Sequence, residues 1–423
     1  MFQRLFSGFL FFSTLGVVAE TATNSELATL DLEELEQEAQ VNNAELRVME
    51  SRLETARGQS IAAGTWGNPE FGFAPGIRRE KAESGYDSVF HLEAELSQPI
   101  KFPGKIRAAK AIAQGNLDLQ QIGLEAFRQA LRLSVRKEYS RLLALQRIHE
   151  LRKEQLESAS LFAEQAKHRA QSGFASDLEL AQSEAALIAA RRAMRSSEAD
   201  EVAARMALNV LRGRPPSDAF RVSGEWGGQR SGAGIAACVA AAMRLSPEIR
   251  LASKDADLAE MELRAAKLER RPDFAVGPSL EYTETEQVIG LGVTLPLPLW
   301  DRQKGPIAVA SGNYRTALAQ VDATRADVAK TVAEAAERFA AARESAELYT
   351  PDFLDRLKAA AAQAEASLAN NATTLLLYLE AKRTYYDSLA DYYETLSTVA
   401  ETRADLEMAM GCTLEELSNR GEE

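Results

Sequence analysis

The sequence contains few of the residues that build metal and redox sites. Its 423 residues include two cysteines and three histidines. His91, His149 and His168 are far apart, and no second histidine or cysteine lies at helical spacing from any of them. Because a catalytic zinc needs several such ligands brought together, the composition argues against a zinc enzyme, and no cofactor is expected.

Clustered positive charge is also missing. The formal net charge is −13, and lysine and arginine are spread along the chain without a basic cluster. Proteins that bind nucleic acid need such a cluster to neutralise phosphates. The charge pattern therefore argues against a nucleic-acid partner.

A long hydrophobic run occurs once, at the N-terminus. Arg4 supplies a positive charge, residues 5–18 are apolar, and Val17-Val18-Ala19 offers small residues for cleavage. This order is typical of a secretory signal peptide, here residues 1–19, and an uncleaved anchor is the alternative. Later stretches fall short of the about 20 apolar residues of a spanning helix. We therefore expect an exported chain without a membrane-spanning helix, and no cysteine follows the signal to carry a lipid anchor.

The two cysteines lie at opposite ends of the second half of the chain. Cys238 is near its start and Cys412 is near its end. In an exported, up-and-down helical unit the two ends lie close together, so the pair is a disulfide candidate. Two small buried residues are the alternative.

The most informative feature that is present is an internal duplication, with a period of about 200 residues. Pro69 precedes an alternating stretch, a loop, a second alternating stretch and a long helical run, and Pro272 precedes the same order. Each copy therefore predicts a helix, a β-hairpin and a pair of helices. The boundaries we assign are 30–214 for the first copy, 215–234 for a linker, 235–417 for the second copy and 418–423 for a tail.

Two long stretches predict long helices. The first, about 104–171, contains no proline, and a helix of about 65 residues is roughly 100 Å long. Its apolar residues step by three, four or seven and form one coiled-coil stripe: Leu124, Phe127, Leu131, Val135, Leu142 and Leu145. The second runs over about 303–368, and Pro351 is expected to kink it or to start a new segment. Its packing face is predicted from alanines at 323, 326, 329, 333, 336 and 340.

Each long helix ends in a turn built from helix-stop and helix-start residues. Gly173 and Asn371 tolerate the left-handed conformation at a helix C-terminus. Ser176 and Thr374 are candidate N-caps for the returning helices. Each copy therefore predicts a long antiparallel helical hairpin.

Strict alternation of apolar and polar residues predicts the two β-hairpins. The second strand of the first hairpin alternates Phe90, Leu92, Ala94 and Leu96 with His91, Glu93, Glu95 and Ser97. We place its partner strand at about 70–75, its loop at about 76–87, and the second hairpin at 274–282 and 287–295 with a loop at 283–286. Alternating strands of about 9–11 residues are typical of outer-membrane barrels. Four strands cannot close a barrel and lipid tolerates no open edge, so several chains would share one; a soluble β-cap is the alternative.

Both strand-to-helix junctions resemble those of the TolC family of outer-membrane efflux channels. Residues Ser97–Lys105 are similar to the family's first junction. Residues Thr294–Gly305 are similar to its second, in the form found in the heavy-metal efflux branch. The resemblance covers about 30–417, and the tip turns match in position. One difference is the absence of an N-terminal cysteine, which many members of the metal branch carry in lipidated form.

The resemblance implies a fold that is mainly α with a small β part. Duplicated coiled-coil hairpins would form a trimeric tunnel below a shared twelve-stranded β-barrel. The implied function is not enzymatic: it is a passive exit duct for metal ions or small toxic compounds across the periplasm and outer membrane. The implied partners are two further copies of the chain, outer-membrane lipid, a periplasmic adaptor (membrane fusion) protein and an inner-membrane pump of the resistance-nodulation-division type. An exit duct for type I protein secretion and a periplasmic coiled-coil scaffold are the alternatives.

Candidate functional residues lie at three levels of this architecture. The gate is assigned to the tips, where Asp177 would form an acidic ring or, alternatively, stabilise the first turn of its helix. Small residues there would admit an adaptor hairpin, although any turn favours them. Acidic residues on the polar strand face would favour cations in a lumen, although solvation predicts the same alternation. The assigned sets are Gly173, Asp177, Asn370, Asn371 and Thr374 at the gate; Arg169, Ala175, Ser176, Ala372 and Thr373 for adaptor contact; His91, Glu93 and Glu95 in the lumen; and Pro99, Pro103, Pro296 and Pro298 at the junctions.

Overall fold

The protein is described by a computed structural model over residues 28–82, 85–173, 176–226, 234–283, 286–370 and 372–420. Over these residues the chain is mainly helical with a small β part, and the order of its elements is duplicated. The expected fold class is therefore confirmed for the chain. The predicted signal peptide lies outside the described residues.

The two copies contain the same main elements in the same order. Strand β1 (Ala28–Leu30) leads into the first copy, which comprises α1 (Leu32–Asn42), α2 (Ala44–Ala63), β2 (Glu70–Ala82), β3 (Gly85–Ile100), α3 (Lys105–Gln171) and α4 (Asp177–Leu211), and β4 (Phe220–Val222) lies in the segment predicted as a linker. The second comprises α5 (Ile235–Leu245), α6 (Pro247–Leu268), β5 (Phe274–Thr283), β6 (Gln287–Thr294), α7 (Lys304–Glu347), α8 (Pro351–Ala369), α9 (Leu375–Met410) and α10 (Leu414–Arg420).

Helix α3 is one uninterrupted helix of 67 residues. The left-handed Gly104 precedes it, with φ +99°, and the left-handed Gly173 follows it, with φ +75°. Most of the predicted apolar stripe is buried, including Leu131, Val135 and Leu142. Among the described residues no helix, however long, is apolar enough to cross a membrane.

The second long helical run is divided at Pro351, as one of the two sequence interpretations required. Helix α7 ends at Glu347, and α8 begins with Pro351 at its first position. The hydroxyl of Thr350 caps α8 by accepting a hydrogen bond from the backbone N–H of Phe353 at 3.2 Å. Proline fits the first turn of a helix because its missing N–H has no partner there anyway.

The alanine stripe predicted for α7 is largely wrong within one chain. Ala323, Ala326 and Ala340 are exposed, and of the six alanines Ala336 is the one that is buried. The buried face instead carries larger side chains: Val321, Val328, Val332 and Phe339. Larger apolar side chains remove more surface from water, and they therefore decide which face of the helix packs inward.

Each copy has its own hydrophobic core near the middle of the helices. In the first, Leu35 and Leu208 pack with Val135 and with Phe220 of the short parallel sheet β1–β4. In the second, Val332, Leu406 and Met410 pack with residues of α5 and α10. The rest of each helix extends beyond these cores. The cores therefore anchor the long helical hairpins, which extend away from them.

The two hairpins join into one antiparallel sheet in the order β2-β3-β5-β6. The first hairpin differs from the prediction, because the expected loop at 76–87 is mostly strand. Pairing continues from Gly76 opposite His91 to Ala82 opposite Gly85. The charged residues at 78–81 favoured a loop, but backbone pairing with the facing strand overrides such propensities. The second hairpin has the short loop that was predicted, next to Thr283.

Candidate functional site

One face of the sheet is apolar and exposed. Opposed pairs across its strands include Phe71 with Leu96, Leu92 with Tyr282, and Leu280 with Ile289. Its most exposed side chains are Ile289 at 80%, Ile77 at 77%, Leu291 at 73%, Phe71 at 68% and Val293 at 66%. Soluble monomers rarely expose a contiguous apolar patch of this kind, so this face requires an apolar neighbour.

The opposite face carries the candidate lumen residues. His91, Glu93 and Glu95 occupy alternate positions of β3, and Glu281 of β5 lies directly opposite Glu93. Like charges in such a pair destabilise a sheet. Arg78 offsets this repulsion, because its Nη1 donates to Glu281 Oε1 at 2.9 Å. The face is therefore acidic, with one arginine placed within the acidic group.

Small residues occupy many of the other positions of this polar face, although Val288 lies there opposite Glu281. The register places there Gly72, Ala74, Gly76, Gly277, Ser279, Gly290 and Gly292. A side chain on Gly277 would meet the carbonyl of Leu96 at 1.5 Å, so glycine is required at that position. A face of glycine, alanine and serine leaves open space above the backbone, which suits a water-filled passage. The sequence analysis missed Glu281, although its alternation with Leu280 and Tyr282 is the signal that would have found it.

The four prolines lie close to the strand-to-helix junctions. Pro103 falls between β3 and α3, and Pro296 and Pro298 fall between β6 and α7. Pro99 is different, because it is still part of β3 and lies opposite Ala275. Three of the four therefore lie where the chain changes from strand to helix, and Pro99 lies one residue before the end of its strand.

An ion cluster around the buried Lys105 joins the two copies at the first junction. Lys105 Nζ lies 2.8 Å from Glu269 Oε2 and 3.0 Å from Asp273 Oδ1, and the lysine side chain is 7% exposed. Asp273 Oδ1 also accepts a hydrogen bond from the backbone N–H of Phe102 at 2.7 Å. The guanidinium of Arg271 lies over the Phe102 ring at 4.8 Å. The first turn of α3 is thus fastened to the segment that leads from α6 into β5.

The cluster shifts the pKa of both partners toward the charged form. Burial alone would lower the pKa of Lys105, but the hydrogen bonds to Glu269 and Asp273 outweigh it and raise the pKa. Burial alone would raise the pKa of Asp273, but the Phe102 N–H and the Lys105 ammonium outweigh it and lower the pKa. Both shifts mean that the charged pair stabilises the folded chain.

Helix α4, which follows the first tip, begins with a capping box. The Ser176 hydroxyl accepts a hydrogen bond from the Glu179 N–H at 3.2 Å, and the Glu179 carboxylate accepts one from the Ser176 N–H at 2.9 Å. Asp177 is exposed at the first position of α4, where the partial positive charge of the helix N-terminus favours a carboxylate. Arg169 and Gly173 are exposed on the other side of the turn.

The second tip is uncharged and is capped more weakly. Helix α8 ends at Ala369, with Asn370 as its C-cap, and the Thr374 hydroxyl accepts a hydrogen bond from the Leu377 N–H at 3.4 Å. Ala372 is exposed and Thr373 is half-buried. Ala175 of the first tip and Asn371 of the second, both predicted as site residues, lie outside the described residues.

Two ion pairs that the sequence did not reveal hold the helices behind the tips, one between the two helical hairpins and one within the second hairpin. Arg152 on α3 donates to Asp387 Oδ1 on α9 at 2.9 Å. Lys382 on α9 donates to Glu365 Oε2 on α8 at 2.7 Å. From Arg152 to the end of α3 the distance is about 30 Å at helical rise. These pairs therefore fix the helices beside the tips without occupying them.

The two cysteines are both buried in the core of the second copy. Cys238 lies on α5, and Cys412 follows α9. Burial raises the pKa of the Cys238 thiol. The position of both residues in one cluster agrees with the alternative of small buried residues, and their pairing stays a prediction.

Comparison with known proteins matches the chain to one family over most of its length. The model of the family described as outer membrane efflux protein matches residues 35–214 and 239–412. No curated protein sequence matches the chain.

Solved structures share the fold at low sequence identity. The CmeC outer membrane channel of Campylobacter jejuni is 17% identical, with 99% of this chain and 97% of that chain covered and a TM-score of 0.74. A membrane protein from Pseudomonas aeruginosa is 19% identical, with 92% of each chain covered and a TM-score of 0.77. The open state of the Neisseria gonorrhoeae MtrE outer membrane channel is 19% identical, with 90% of this chain and 89% of that chain covered and a TM-score of 0.69. These TM-scores show a common fold.

The Lys105 cluster generates a prediction about stability. Lys105→Met should lower the free energy of unfolding at neutral pH by about 1.5–3 kcal/mol, the contribution of hydrogen bonds to charged groups. Lys110→Met, at an exposed lysine on the same helix, is the matched control and should change little. Denaturant unfolding followed by circular dichroism measures both variants.

The pH dependence of that difference follows from the lowered pKa of Asp273. A carboxylate whose pKa is lowered on folding contributes stability above its ordinary pKa, 3.8, and loses it as the pH falls through the lower folded value. The difference between wild type and Lys105→Met should therefore shrink below about pH 4. A constant difference from pH 7 to pH 3 would contradict the assigned ion pair.

Proposed function

Because the chain belongs to the outer membrane efflux protein family, we propose that three copies of it form the exit channel of a tripartite efflux system. Family membership makes the protein an efflux duct of the outer membrane that extends into the periplasm. In the proposed trimer, each repeat, 30–214 and 235–417, supplies one β-hairpin and one helical hairpin. The lumen conducts passively, so the channel needs no catalytic group.

The observation that carries the proposal is the apolar sheet face bounded by two open edges. Strands β2 and β6 each have one neighbour, so one side of each strand lacks a ladder partner among the residues that the structure describes. Lipid offers no hydrogen bonds to such an edge, whereas pairing with another copy satisfies it. Three copies of four strands give a closed barrel of twelve. A periplasmic scaffold, by contrast, has no use for an apolar face of this size.

The helices support the same assembly. Within one chain α3 packs against α6 and α9 of the other copy, so α3 has neighbours from both repeats. Helices α2, α4 and α7 instead expose large apolar side chains. These include Val48, Ile61, Ile188, Val210, Val309 and Leu318. In a ring of copies, α7 would pack against α2 and α4 of the next copy, which buries these residues.

The tips are the proposed gate and the proposed contact for a periplasmic adaptor. Arg169, Ser176 and Ala372 are exposed there and are available to an adaptor hairpin. Thr373 follows Ala372 in the same tip, and we propose it for the same contact. The inner-membrane pump that this adaptor serves is proposed to be of the resistance-nodulation-division type.

Oligomeric state is the first test. Protein extracted from outer membranes with detergent should have the mass of three copies by light scattering. In sodium dodecyl sulfate it should migrate as an oligomer that heating converts to monomer. The oligomer becomes monomer on heating because the heat unfolds the barrel that the three chains share. A mature protein that stays soluble and monomeric without detergent would contradict the proposal.

Substrate class is tested in cells. We propose metal ions or small toxic compounds, because the polar face of the sheet is acidic at Glu93, Glu95 and Glu281 and would favour cations. A deletion strain should become more sensitive to divalent metals or to lipophilic drugs, and the plasmid-borne gene should restore resistance. Unchanged sensitivity to both, together with loss of a secreted protein, would instead identify an exit duct for type I secretion.

Ion selectivity tests the gate and the lumen separately. In planar bilayers, Asp177→Ala should reduce cation preference or divalent block by roughly twofold to fivefold, since an exposed charge contributes about 1 kcal/mol at contact distance. Removal of the lumen charges in Glu93→Gln/Glu95→Gln/Glu281→Gln should lower cation preference without affecting divalent block at the tip.

Asp352→Ala is the matched control for the gate variant, because Asp352 is also an exposed acid in the first turn of a helix. Asp352 lies in α8, away from the tips, so the conductance of the Asp352→Ala channel should equal that of the wild type. If Asp177→Ala gives the same trace as Asp352→Ala, Asp177 stabilises its helix and does not form an acidic ring.

A further inference from the structure

Two positions in the chain have the same local backbone, and one of them has an ion pair. Lys105 begins α3 directly after the left-handed Gly104. Lys304 begins α7 directly after Gln303, which has φ +57° and is the non-glycine residue with positive φ among the described residues. A left-handed glutamine is uncommon, and its position directly before the helix, like that of Gly104, indicates that the two junctions are built alike. The offset between the junctions is 199 residues (304 − 105).

The acid that pairs with Lys105 also has an equivalent. Asp273 lies in the sequence Pro272-Asp273-Phe274, and Glu70 lies in Pro69-Glu70-Phe71. The strand registers agree with this match. Glu70 lies opposite Ser97, eight residues before Lys105 (105 − 97). Extending the pair Ala275–Thr294 by two residues brings Asp273 opposite Pro296, eight residues before Lys304 (304 − 296).

Lys105 bonds the acid of the other copy, and not that of its own. It belongs to the first repeat, and Asp273 belongs to the second. By the same rule Lys304, in the second repeat, should bond Glu70 of a first repeat. Within one chain these two residues lie at opposite edges of the sheet, next to β6 and β2. Both are exposed, and neither has an ion-pair partner among the described residues.

We propose that β6 of one copy pairs with β2 of the next copy in the register of β3 with β5, and that Lys304 bonds the partner's Glu70. This inference rests on the trimer proposed above. The register follows from the two offsets, 199 for the second strand of each hairpin and 203 (273 − 70) for the first. Adding 199 to position 95 gives Thr294, and subtracting 203 from position 279 gives Gly76. The observed pair Glu95–Ser279 therefore corresponds to Thr294 opposite the partner's Gly76.

The translated register keeps the two faces of the sheet intact. Thr294 and Gly76 both occupy polar-face positions in their own hairpins, because they alternate with Val293 and Ile77. A shift of one residue would bring Ile77 opposite Thr294 and mix apolar with polar side chains on one face. The same assembly contains six junction lysines, two for each copy, and each of them bonds an acid of the other repeat at the level where barrel meets tunnel.

Cysteine cross-linking tests the register. The variant Thr294→Cys/Gly76→Cys should form covalent trimers under mild oxidation, because directly opposed residues are about 4.5–5.5 Å apart at Cα and a disulfide spans that distance. Gly76 tolerates the change, since an added Cβ meets no atom within 4 Å. The native Cys238 and Cys412 are buried, and each single-cysteine variant is a control that should give no covalent trimer.

The matched comparison is Thr294→Cys/Ala74→Cys, which tests a register shifted by two residues. Ala74 is displaced by about 7 Å along the strand, which places it beyond disulfide reach. Cross-linking through Ala74, or through neither position in a protein that is otherwise trimeric, overturns the inference and leaves the proposed channel standing. A wild-type protein without any trimer overturns the proposed channel itself.

Charge exchange tests the bond between Lys304 and the partner's Glu70. Lys304→Glu should lower the temperature at which the detergent-resistant trimer dissociates by about 3–8 °C, and Lys304→Glu/Glu70→Lys should restore most of it. Arg302→Glu, the same change two residues earlier, should have a smaller effect. If the double variant is no more stable than Lys304→Glu, the bond is not formed.

Discussion

An unpaired strand edge in a lipid bilayer leaves a row of backbone N–H and C=O groups with no partner, and the rest of this structure follows from that constraint. The sheet of four strands has two such edges, at β2 and β6. A face as apolar as the one with Phe71, Ile289 and Leu291 belongs in lipid, where water cannot satisfy these groups. Further copies must therefore supply the missing neighbours. The duplication fits this demand, because a chain whose halves already pair with each other can pair with the next chain by the same contact.

The same constraint explains why the ion cluster at Lys105 lies at the first junction. A barrel strand is tilted and a helix must leave it in a fixed direction, so an error at the junction would be multiplied along a helix of 67 residues. Lys105 closes the turn from one side and Asp273 from the other, and the Phe102 N–H shares the same carboxylate. The acids of the cluster, Glu269 and Asp273, are partly exposed to water, whereas Lys105 is buried. It therefore fixes direction without placing an unpaired charge in lipid.

Periodicity predicted the parts of the fold that depend on local sequence. The stripe of α3, the new helix at Pro351, the turn at Gly173 and the caps Ser176 and Thr374 each result from residues within a few positions of each other. The first hairpin was predicted too short, because charged residues at 78–81 indicate a loop when the facing strand is unknown. Ion pairs such as Lys105 with Asp273 could not be predicted, since no local pattern relates residues so far apart in sequence. The alanine face of α7 shows a third limit, because composition indicated helix–helix packing but not which side the partner occupies.

The unequal length of the two hairpins has a consequence at the outer rim. Measured from the equivalent residues Glu70 and Asp273, β2 ends 12 residues further along the chain, at Ala82 (82 − 70), and β5 ends 10 residues further along, at Thr283 (283 − 273), so β2 is longer by two residues. At the rise of a strand this is about 7 Å. In the proposed trimer, the longer and the shorter hairpins alternate around the opening, so the outer rim has three higher and three lower positions. The outer opening therefore has threefold symmetry, although the wall below it approaches sixfold symmetry. A large particle that binds to the rim would contact the three longer hairpins first.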